Sequence, residues 1–508
     1  MKTATGPTVV PAEAEHVSDS QPVAQDLNPH RASPRTGTYT HERREIFDSL
    51  AQGRDRFKAR RWYYYKQLTA FIQFSVPPGQ KVLEVGCGTG DLLNATKPAL
   101  GVGLDLSGCM LRIARQKFPH LRFVQGDVHN SPLSGTFDYI ILSDLVGDLE
   151  DVHEAFARVR LLAGPHTRLI ITYYNYLWEP VLKLAEALRL KSPQNVQNWL
   201  PVDDLEGFLS LAGFATIRKG FRLLLPIYIP GLSWICNKVL AHLPGFRRLC
   251  LTEYVVARAG RERTHRREYR CSVIVPCRNE SGNISEIVRR MPSLGAGTEV
   301  IFVDGSSTDG TVERICEVMA RYRGPHTIKL IHQGDGTGKG DAVRKGFEAA
   351  TGELLMIFDA DITVDPEALP KFYNAIADGH GEFVNGSRLV YPMESAAMRW
   401  LNLGGNKVFS MLFTWLLEQR LRDTLCGTKV LLKRDYEKIK AGRHYFGDFD
   451  PFGDFDLLFG AAKQNLKIVE VPVRYRDRVY GETKIRRFRH GLLLFQMCWI
   501  AYKRFRMY

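Results

Sequence analysis

Short runs of valine, isoleucine and leucine alternate with helical patterns along two separate stretches of the 508-residue chain. Such alternation is typical of parallel β-strands that are joined and covered by α-helices. A highly basic segment at residues 258–270 separates the two stretches and indicates a domain boundary. We therefore predict an α/β fold with two doubly wound domains. The predicted division is a disordered tail at 1–44, a first domain at 45–258, a basic linker at 259–270, a second domain at 271–485 and a basic, apolar C-terminal helix at 486–508.

The composition limits the cellular setting and the partners. Residues 1–40 are rich in proline, serine, threonine and alanine and lack the apolar core of a signal peptide, which predicts a disordered tail. The nine cysteines are scattered, without a C-x-x-C pair, which favours reduced thiols in a cytosol over disulfides or zinc. No apolar stretch reaches the length of a membrane-spanning helix. A formal net charge of +14 favours an anionic partner such as a nucleotide-sugar, a phospholipid, a membrane surface or nucleic acid.

Four predicted strand ends in the first stretch carry residues suited to a nucleotide-like ligand. The segment "KVLEVGCGTGDLL" (81–93) reads as a strand, a glycine turn and a helix start, and its glycines allow a ligand to approach the backbone closely. The next strand ends about twenty residues on at Asp105, where a carboxylate can accept both hydroxyls of a ribose. The third strand ends at Asp127, which suits an adenine amino group, and the fourth at Ser143 and Asp144.

This order of strand ends resembles the class I S-adenosylmethionine-dependent methyltransferases, across roughly residues 60–260. The resemblance implies a Rossmann-like domain with S-adenosylmethionine as its cofactor. The residues that stand where that family holds its cofactor are Glu84, Gly86, Cys87, Gly88, Gly90, Asp105, Leu106, Asp127, Val128 and Ser143. Methyl transfer needs chiefly an aligned nucleophile, so proximity can supply most of the catalysis. His129 and the cluster "YYNY" (173–176) are candidate bases, although a structural role is favoured for each.

The methyl acceptor cannot be read from the sequence. Residues 221–246, "FRLLLPIYIPGLSWICNKVLAHLPGF", are unusually apolar and are interrupted by proline. Such a segment can pack between domains, cover an apolar substrate or contact a membrane. Ordinary domain packing is slightly favoured.

Two aspartates end an apolar strand of the second stretch. In "ELLMIFDADITVDPEAL" (353–369), Asp359 and Asp361 follow the run from Leu354 to Phe358. Side chains two residues apart in a strand share a face, so the two carboxylates are expected to lie close together. Like charges at short range are unfavourable unless a positive charge lies between them. A hard divalent cation with a bound diphosphate supplies such a charge.

Three further segments complete the pattern of the second stretch. The segment "CSVIVPCRNESGNISEIV" (271–288) reads as a strand, a turn and a helix. The segment "TEVIFVDGSSTDGT" (298–311) reads as a strand that ends in Asp304. The segment "HQGDGTGKGDAVRKGFEAATG" (332–352) reads as a glycine-rich loop that carries Lys339 before a helix.

The order of these segments resembles the family 2 glycosyltransferases, which have the GT-A nucleotide-sugar fold, across about residues 270–485. The resemblance implies that Asp359 and Asp361 hold Mg²⁺ or Mn²⁺ on the diphosphate, with Asp361 as a catalytic residue. The metal stabilises the departing nucleoside diphosphate. The donor-binding residues implied by the resemblance are Pro276, Arg278, Glu280, Val303, Asp304, Lys339, Asp359 and Ala360.

Two later segments narrow the resemblance. The segment "FVNGSRLV" (383–390) places Arg388 after a further strand, and "DRVYGETK" (477–484) carries Arg478 and Lys484. They look like the dolichyl-phosphate mannose synthase group of polyprenyl-phosphate glycosyltransferases. In that group such basic residues bind the acceptor phosphate, and the resemblance implies a catalytic role for Arg388. A phosphate acceptor is already anionic near neutral pH, so it can attack without a strong base and invert the sugar carbon in one displacement.

Several positions depart from the family pattern. Gly305 stands where many relatives have a second aspartate, so GDP-mannose and a UDP-hexose both remain open as donors. Arg278 stands where an aromatic residue is common, and Thr363 where a glutamine is common. Asp454 or Asp456 can act as a base for a hydroxyl acceptor, although a local structural role is favoured.

The C-terminal segment (484–508) has an apolar middle of twelve residues, Gly491 to Tyr502, flanked by lysine and arginine without any acid. Twelve residues are too few to span a bilayer. A helix with basic ends and aromatic residues can lie on an anionic membrane surface. The alternative is a helix packed on the second domain with snorkelling basic side chains. Membrane contact on the cytosolic face is the favoured prediction.

The sequence thus predicts a bifunctional enzyme. Its second domain transfers a hexose from a nucleotide-sugar to a polyprenyl phosphate at the membrane, and its first domain methylates an unknown acceptor, a glycan or a lipid of the same pathway. Nucleic acid is not an expected partner because no recognition motif accompanies the charge. The alternatives are extension of a glycan hydroxyl, a half that only binds and regulates, or an RNA methyltransferase with an unrelated partner domain. The sequence gives no indication of the oligomeric state.

Overall fold

The computed structural model describes residues 34–187, 200–260, 266–336, 338–388, 400–445, 455–476, 478, 480 and 487–507. Within these ranges the chain forms two seven-stranded sheets. Each sheet has separate hydrophobic clusters on its two faces, because both faces are covered by other elements. The predicted pair of doubly wound α/β domains is therefore confirmed.

The first sheet has the strand order β3-β2-β1-β4-β5-β7-β6. Its strands are β1 (Lys81–Val85), β2 (Leu100–Asp105), β3 (Arg122–Gln125), β4 (Phe137–Ser143), β5 (Ala163–Tyr174), β6 (Phe214–Arg222) and β7 (Thr252–Ala259). The accompanying helices are α1 (Pro34–Leu50), α2 (Arg54–Arg60), α3 (Trp62–Ser75), α4 (Asp91–Ala95), α5 (Gly108–Lys117), α6 (Val152–Leu161), α7 (Glu179–Ala187), α8 (Val202–Leu211) and α9 (Leu232–Lys238).

The second sheet has the strand order β10-β9-β8-β11-β13-β12-β14. Its strands are β8 (Arg270–Cys277), β9 (Gly297–Asp304), β10 (Thr327–His332), β11 (Leu354–Ile357), β12 (Phe383–Ser387), β13 (Lys429–Leu432) and β14 (Ile468–Pro472). The accompanying helices are α10 (Ser281–Arg290), α11 (Thr311–Arg321), α12 (Gly338–Ala349), α13 (Leu369–Ala377), α14 (Trp400–Leu417), α15 (Lys433–Ala441), α16 (Phe455–Lys463) and α17 (Arg487–Arg506).

One strand in each sheet runs against the others, which corrects the prediction of parallel sheets. Strand β7 is antiparallel to β5 and β6, and β13 is antiparallel to β11 and β12. Both strands are buried along their whole length. A run that is apolar on both faces reads the same in either direction, so its pattern could not reveal its orientation.

Parallel pairing brings the predicted acids of the second domain to one edge. Strand β8 pairs in parallel with β9 and β11, with Cys277 opposite Asp304 and Ile274 opposite Ile357. Asp304 therefore ends its strand at the same edge at which Asp359 follows β11. This carboxyl edge is where open α/β sheets bind ligands.

The chain enters its first helix earlier than predicted. Helix α1 begins at Pro34, within the predicted tail of residues 1–44. Thr40 Oγ1 donates a 2.8 Å hydrogen bond to Asp127 Oδ2, and Arg43 Nη1 donates a 2.9 Å hydrogen bond to Asp148 Oδ1. This part of the tail prediction is wrong because polar side chains attach the helix to acids of the sheet edge, and composition does not show such contacts.

The two domains contact each other at the amino ends of their parallel strands. Arg168 of β5, in register with the start of β4, donates 2.9 Å hydrogen bonds to both carboxylate oxygens of Glu382, which directly precedes β12. Asn465, shortly before β14, donates from Nδ2 to the carbonyl oxygen of Ser75 at the end of α3 (3.0 Å). The carboxyl ends of the two sheets, which carry the predicted ligand residues, therefore lie away from this interface.

The C-terminal helix packs on the second domain and also exposes apolar side chains. Phe495 of α17 lies with its ring 4.9 Å from that of Phe409 of α14, and Met497 and Ala501 are buried. Leu492 and Trp499, on the same helix, are exposed. None of the helices within the described ranges is long and apolar enough to cross a membrane.

Candidate active sites

A cavity of about 540 Å³ lies at the carboxyl ends of β1 to β4 in the first domain. Its volume is within the range of small-molecule sites. Of the ten residues predicted to hold the cofactor, nine line it: Glu84, Gly86, Cys87, Gly88, Asp105, Leu106, Asp127, Val128 and Ser143. Gly90 is not among the lining residues; it precedes α4 with φ +77°, and a Cβ there would lie 2.9 Å from the ring of Phe123.

The glycine turn positions Asp105 at the cavity wall. The backbone N–H of Gly88 donates to Asp105 Oδ2 (2.7 Å), and that of Ser107 donates to Oδ1 (2.9 Å). Gly88 has φ +51°, and no atom lies within 4 Å of the position of a Cβ, so a side chain there would occupy the cavity. Burial raises the pKa of Asp105 above its ordinary value, and the two backbone hydrogen bonds only partly oppose it.

Asp127 is held by two side chains from opposite directions. His129 Nδ1 lies 2.7 Å from Oδ1, and Thr40 donates to Oδ2. Although burial alone would raise the pKa of Asp127, these hydrogen bonds lower it to about 2. His129 Nε2 also lies 2.9 Å from the carbonyl oxygen of Asp151. Both ring nitrogens of this candidate base therefore have protein partners, as expected for a structural role.

The tyrosine cluster at 173–176 is mostly structural. Tyr173 donates to buried Glu253 (2.6 Å), and Asn175 donates to the carbonyl oxygens of Arg248 and Cys250. Tyr174 alone of this cluster lines the cavity.

Asp144 is a cavity residue that the predicted cofactor set omitted. Its Oδ2 accepts a 2.6 Å hydrogen bond from Tyr64, and its buried Oδ1 has no hydrogen-bond partner within the described residues. Burial raises the pKa of Asp144 to about 6, against the lowering effect of the Tyr64 hydrogen bond. The signal was present in the sequence, because the fourth strand was predicted to end at Ser143 and Asp144.

In the second domain, Asp304 ends β9 within a tight turn. The backbone N–H groups of Ser306 and Ser307 donate to its carboxylate (3.1 and 3.3 Å). Pro276 pairs with Val303 on the neighbouring strands, and Val303 is fully buried, so it packs in the core. Three other predicted donor residues differ in exposure: Arg278 is exposed, whereas Glu280 and Ala360 are buried.

Each aspartate of the D-x-D motif is paired with a basic residue from a different element. Lys339 Nζ lies 2.6 Å from Asp359 Oδ1, and Arg478 donates to Asp361 Oδ2. Burial opposes ionisation of Asp359, but the ammonium of Lys339 outweighs it and lowers the pKa of Asp359. Four of the predicted site residues, separated in sequence by up to 139 positions, therefore meet at the end of β11.

Arg388 makes an ion pair that the sequence analysis did not predict. Its Nε and Nη2 donate to Asp423 (2.7 and 2.9 Å), which is fully buried and also accepts from Asn406 Nδ2 (2.9 Å). The guanidinium lies 5.0 Å from the ring centroid of Tyr475. Burial alone would lower the pKa of Arg388. The Asp423 carboxylate outweighs this effect and raises the pKa above its ordinary value. Arg388 is thus fixed in place, with Nη1 outside this bidentate pair.

Two buried neighbours complete the wall behind Asp359. Lys429 is fully buried and donates to the carbonyl oxygen of Cys426 (2.6 Å). A Cβ on Gly427 would overlap both the Asp359 carboxylate and Lys339 Nζ, so only glycine allows this pair to approach the backbone. The segment "DTLCGTK" (423–429) was not predicted to belong to the site, because its role depends on contacts across the sheet.

Three other candidate residues of the second domain are Lys484, Asp454 and Asp456. Lys484 and Asp454 lie outside the described residues. Asp456 lies 3.2 Å from Arg443 Nε, so its carboxylate has a basic partner.

The two carboxylates of the D-x-D motif fit a hard divalent cation. They supply oxygen donors, which Mg²⁺ prefers. In the part of the chain that the structure describes, no group of three or more histidine, cysteine, aspartate or glutamate side chains forms a metal cluster. The remaining ligands of an ion here would therefore be diphosphate oxygens and water.

Comparison with protein-family models gives two matches in separate parts of the chain. Residues 56–219 match the model described as "Methyltransferase domain". Residues 272–439 match "Glycosyl transferase family 2". The chain therefore contains two domains that match transferase families. The first is a methyltransferase domain, and the second is a glycosyltransferase family 2 domain.

Two curated relatives are named as glycosyltransferases. A dolichol-phosphate mannosyltransferase of Pyrococcus furiosus is 28% identical over 224 residues, which is 42% of this chain and 59% of the relative. Glycosyltransferase AglJ of Haloferax volcanii is 27% identical over 225 residues, which is 44% of this chain and 69% of that protein. The chain thus covers less than two thirds of the length of the mannosyltransferase. Among solved structures, a SAM-dependent methyltransferase of Thermotoga maritima aligns with a TM-score of 0.35 at 17% identity, over 42% of this chain and 99% of that one.

Proposed function

We propose that the second domain transfers a hexose from a nucleoside-diphosphate sugar to a polyprenyl phosphate. The observation that carries the proposal is the double pairing of Asp359 with Lys339 and Asp361 with Arg478 at the end of β11. Acidic and basic groups alternate within one site, as binding of both a divalent cation and several phosphates requires. The relatives named as dolichol-phosphate mannosyltransferases support the acceptor class.

The paired residues suggest how the site would change when donor binds. Mg²⁺ or Mn²⁺, when bound to Asp359 and Asp361, would stabilise the charge of the departing nucleoside diphosphate. Lys339 and Arg478 would then turn from the carboxylates to phosphate oxygens, so no buried charge would lose its partner. Arg388, held by Asp423, would present Nη1 to the acceptor phosphate. An anionic phosphate nucleophile needs no strong base. Asp456, which pairs with Arg443, is therefore not required as a base.

The experiment that tests this proposal offers the full-length chain a short polyprenyl phosphate, Mn²⁺ or Mg²⁺ and a panel of GDP- and UDP-sugars. Mass spectrometry of the lipid fraction is expected to find one glycosyl-phospholipid, dependent on the added metal, and its mass and the active nucleotide identify the donor. Nucleotide release that requires a hydroxyl-bearing glycan and gives no lipid product would contradict the proposal and favour glycan extension.

We also propose that the first domain transfers a methyl group from S-adenosylmethionine. The cofactor supplies an activated methyl group on a sulfonium sulfur. Asp105 would accept hydrogen bonds from its ribose, and Asp144 lines the same cavity. A lipid acceptor would place the glycosyl transfer, and with it the chain, on the cytosolic face of a membrane.

Replacing Asp105 by asparagine is expected to weaken S-adenosylmethionine binding roughly 10- to 100-fold, because hydrogen bonds to a charged group contribute about 1.5–3 kcal/mol. Isothermal titration of the full-length chain measures the change. Asp138→Asn is the matched control: Asp138 is on β4 at the amino edge, where it accepts from the backbone N–H of Lys81, and asparagine retains this acceptor. Equal affinities for both variants would contradict the assigned ribose contact, and binding by both without any methyl transfer would favour a regulatory module.

A further inference from the structure

Both domains contribute to one exposed apolar surface, which we call the apolar face. It comprises residues 227–249 of the first domain, 408–415 of α14 and 492–502 of α17. Its most exposed large side chains include Leu492 (72%), Met411 (68%), Trp499 (55%) and Trp234 (53%). Contiguous apolar surface of this kind on a folded chain indicates a binding surface.

Direct contacts make the apolar face continuous across the domain boundary. Trp415 Nε1 donates a 2.6 Å hydrogen bond to the carbonyl oxygen of His242, and the Tyr502 hydroxyl donates to that of Lys238. The rings of Trp415 and Tyr502 stack with centroids 5.7 Å apart, and Trp499 stacks on Tyr502 in turn (5.8 Å). The favoured prediction of domain packing for residues 221–246 describes their buried side, which contacts the second domain, whereas their other side is exposed.

At one end the apolar face borders the cavity of the first domain. The ring of exposed Tyr228 lies 5.2 Å from that of Trp62, the first residue of α3. Arg61 and Tyr65, on either side of Trp62 in sequence, line the cavity. An acceptor that enters beside Trp62 and Tyr228 would therefore come directly from the apolar face.

At the other end the apolar face leads to the acceptor residues of the second domain. Asn406 lies within one helical turn of Val408 on α14, and it donates to the Asp423 carboxylate that holds Arg388. The distance along α14 from Asn406 to Trp415 is about 14 Å, at 1.5 Å per residue. The two sheets meet at their amino ends, yet both sites border this one surface.

The charge around the apolar face suits an anionic bilayer. The chain segments 221–251, 400–417 and 484–508 contain no aspartate or glutamate but carry lysine and arginine. Lys66 lies 5.7 Å from the ring centroid of Trp62, and Lys503 lies 5.1 Å from that of Trp499. Tryptophan flanked by basic residues is typical of segments that lie in the interface of anionic membranes.

We propose that the apolar face docks both domains together on an anionic phospholipid bilayer, and that the methyl acceptor is a lipid headgroup taken from that bilayer. This inference rests on the proposed function, because the apolar face would supply the surface on which both proposed transfers occur. The two sites lie in different domains, and a lipid can diffuse between them within the membrane. In the transfer, a headgroup hydroxyl or amine bonds to the methyl carbon and loses its proton to Asp144 or water. The electron pair of the broken carbon–sulfur bond stays on sulfur.

The test is flotation of the full-length chain with phosphatidylglycerol vesicles and with neutral phosphatidylcholine vesicles. We expect preferential binding to the anionic vesicles, and Trp234→Asp and Trp499→Asp, one in each domain, each to lower the partition roughly tenfold or more. Leu211→Asp is the matched control, because Leu211 is 75% exposed and lies on α8, outside the apolar face. Equal loss in all three variants, or none in Trp234→Asp, would overturn docking through both domains. Docking through both domains would also be overturned if the parent did not bind vesicles but formed a dimer that Trp234→Asp dissociates.

The acceptor class is tested with the same vesicles and methyl-labelled cofactor. Label in the extracted lipid, lost in Trp234→Asp, is the expected result, whereas label only in a water-soluble acceptor would overturn the lipid assignment. Glycosyl transfer to a short polyprenyl phosphate in detergent, without vesicles, separates the two proposals. Docking is wrong and the proposed function stands if the parent and Trp234→Asp both transfer sugar in detergent while the parent does not bind vesicles. The proposed function is wrong if the parent is inactive in detergent.

Discussion

Replacing Asp361 by asparagine is expected to lower sugar transfer by roughly 10³-fold, because groups that stabilise charge in the transition state contribute on this scale. The variant removes one of the two carboxylates at the end of β11, and it also removes the charge from the ion pair with Arg478. Initial rates at saturating donor and acceptor, measured over a series of Mn²⁺ concentrations, provide the comparison. A metal ligand predicts that kcat falls and that the metal concentration for half-maximal rate rises.

Glu353→Gln is the matched control for this prediction. Glu353 directly precedes β11 at its opposite end, and its carboxylate is half exposed and 3.7 Å from Arg267. We expect its rate and its metal dependence to match those of the parent. If Asp361→Asn retained near-parent rates, or if it lost activity only through a lower melting temperature, the assignment of Asp361 to the metal would be wrong.

The strand ends explain why many residues that line the cavity or meet at the end of β11 could be predicted from the sequence. An apolar run followed by aspartate or glycine gives both the strand and its ligand edge, and parallel pairing then collects Asp304 and Asp359 without further information. In the first domain the same rule collected nine of the ten predicted residues around one cavity. The rule does not say which side chain points inward, so Gly90 and Val303 were included although one shapes a turn and the other packs in the core.

The features that were not predicted depend on partners far away in the sequence. Arg388 was predicted to bind phosphate, but its bidentate contact is with Asp423, in the segment that leads into β13. Thr40 reaches Asp127 from a segment whose composition indicated disorder. In each case two polar groups that are distant in sequence form a hydrogen bond. Neither apolar periodicity nor local turn chemistry predicts such a contact.

The interface between the domains leads to a second prediction of large effect. Independent domains usually move relative to each other unless their interface is large or contains strong contacts. Here Glu382 accepts from Arg168, and Arg258 lies 3.9 Å away; all three side chains are less than a tenth exposed. Burial opposes ionisation of Glu382, yet the two guanidinium groups lower its pKa. The three charges are therefore stable only together.

Glu382→Ala is expected to lower the free energy of unfolding by about 3–5 kcal/mol, because it removes the buried carboxylate that Arg168 and Arg258 share. The effect should exceed that of a surface pair by far, since exposed ion pairs contribute little. We expect calorimetry to show one unfolding transition for the parent and two for the variant, because the domains of the variant lose their coupling. Glu154→Ala, which removes an exposed partner of Arg158 on α6, is expected to leave the profile unchanged. A Glu382→Ala profile as close to the parent as that of Glu154→Ala would show that the amino ends touch without coupling, and the two sites would then not keep a fixed orientation toward one membrane.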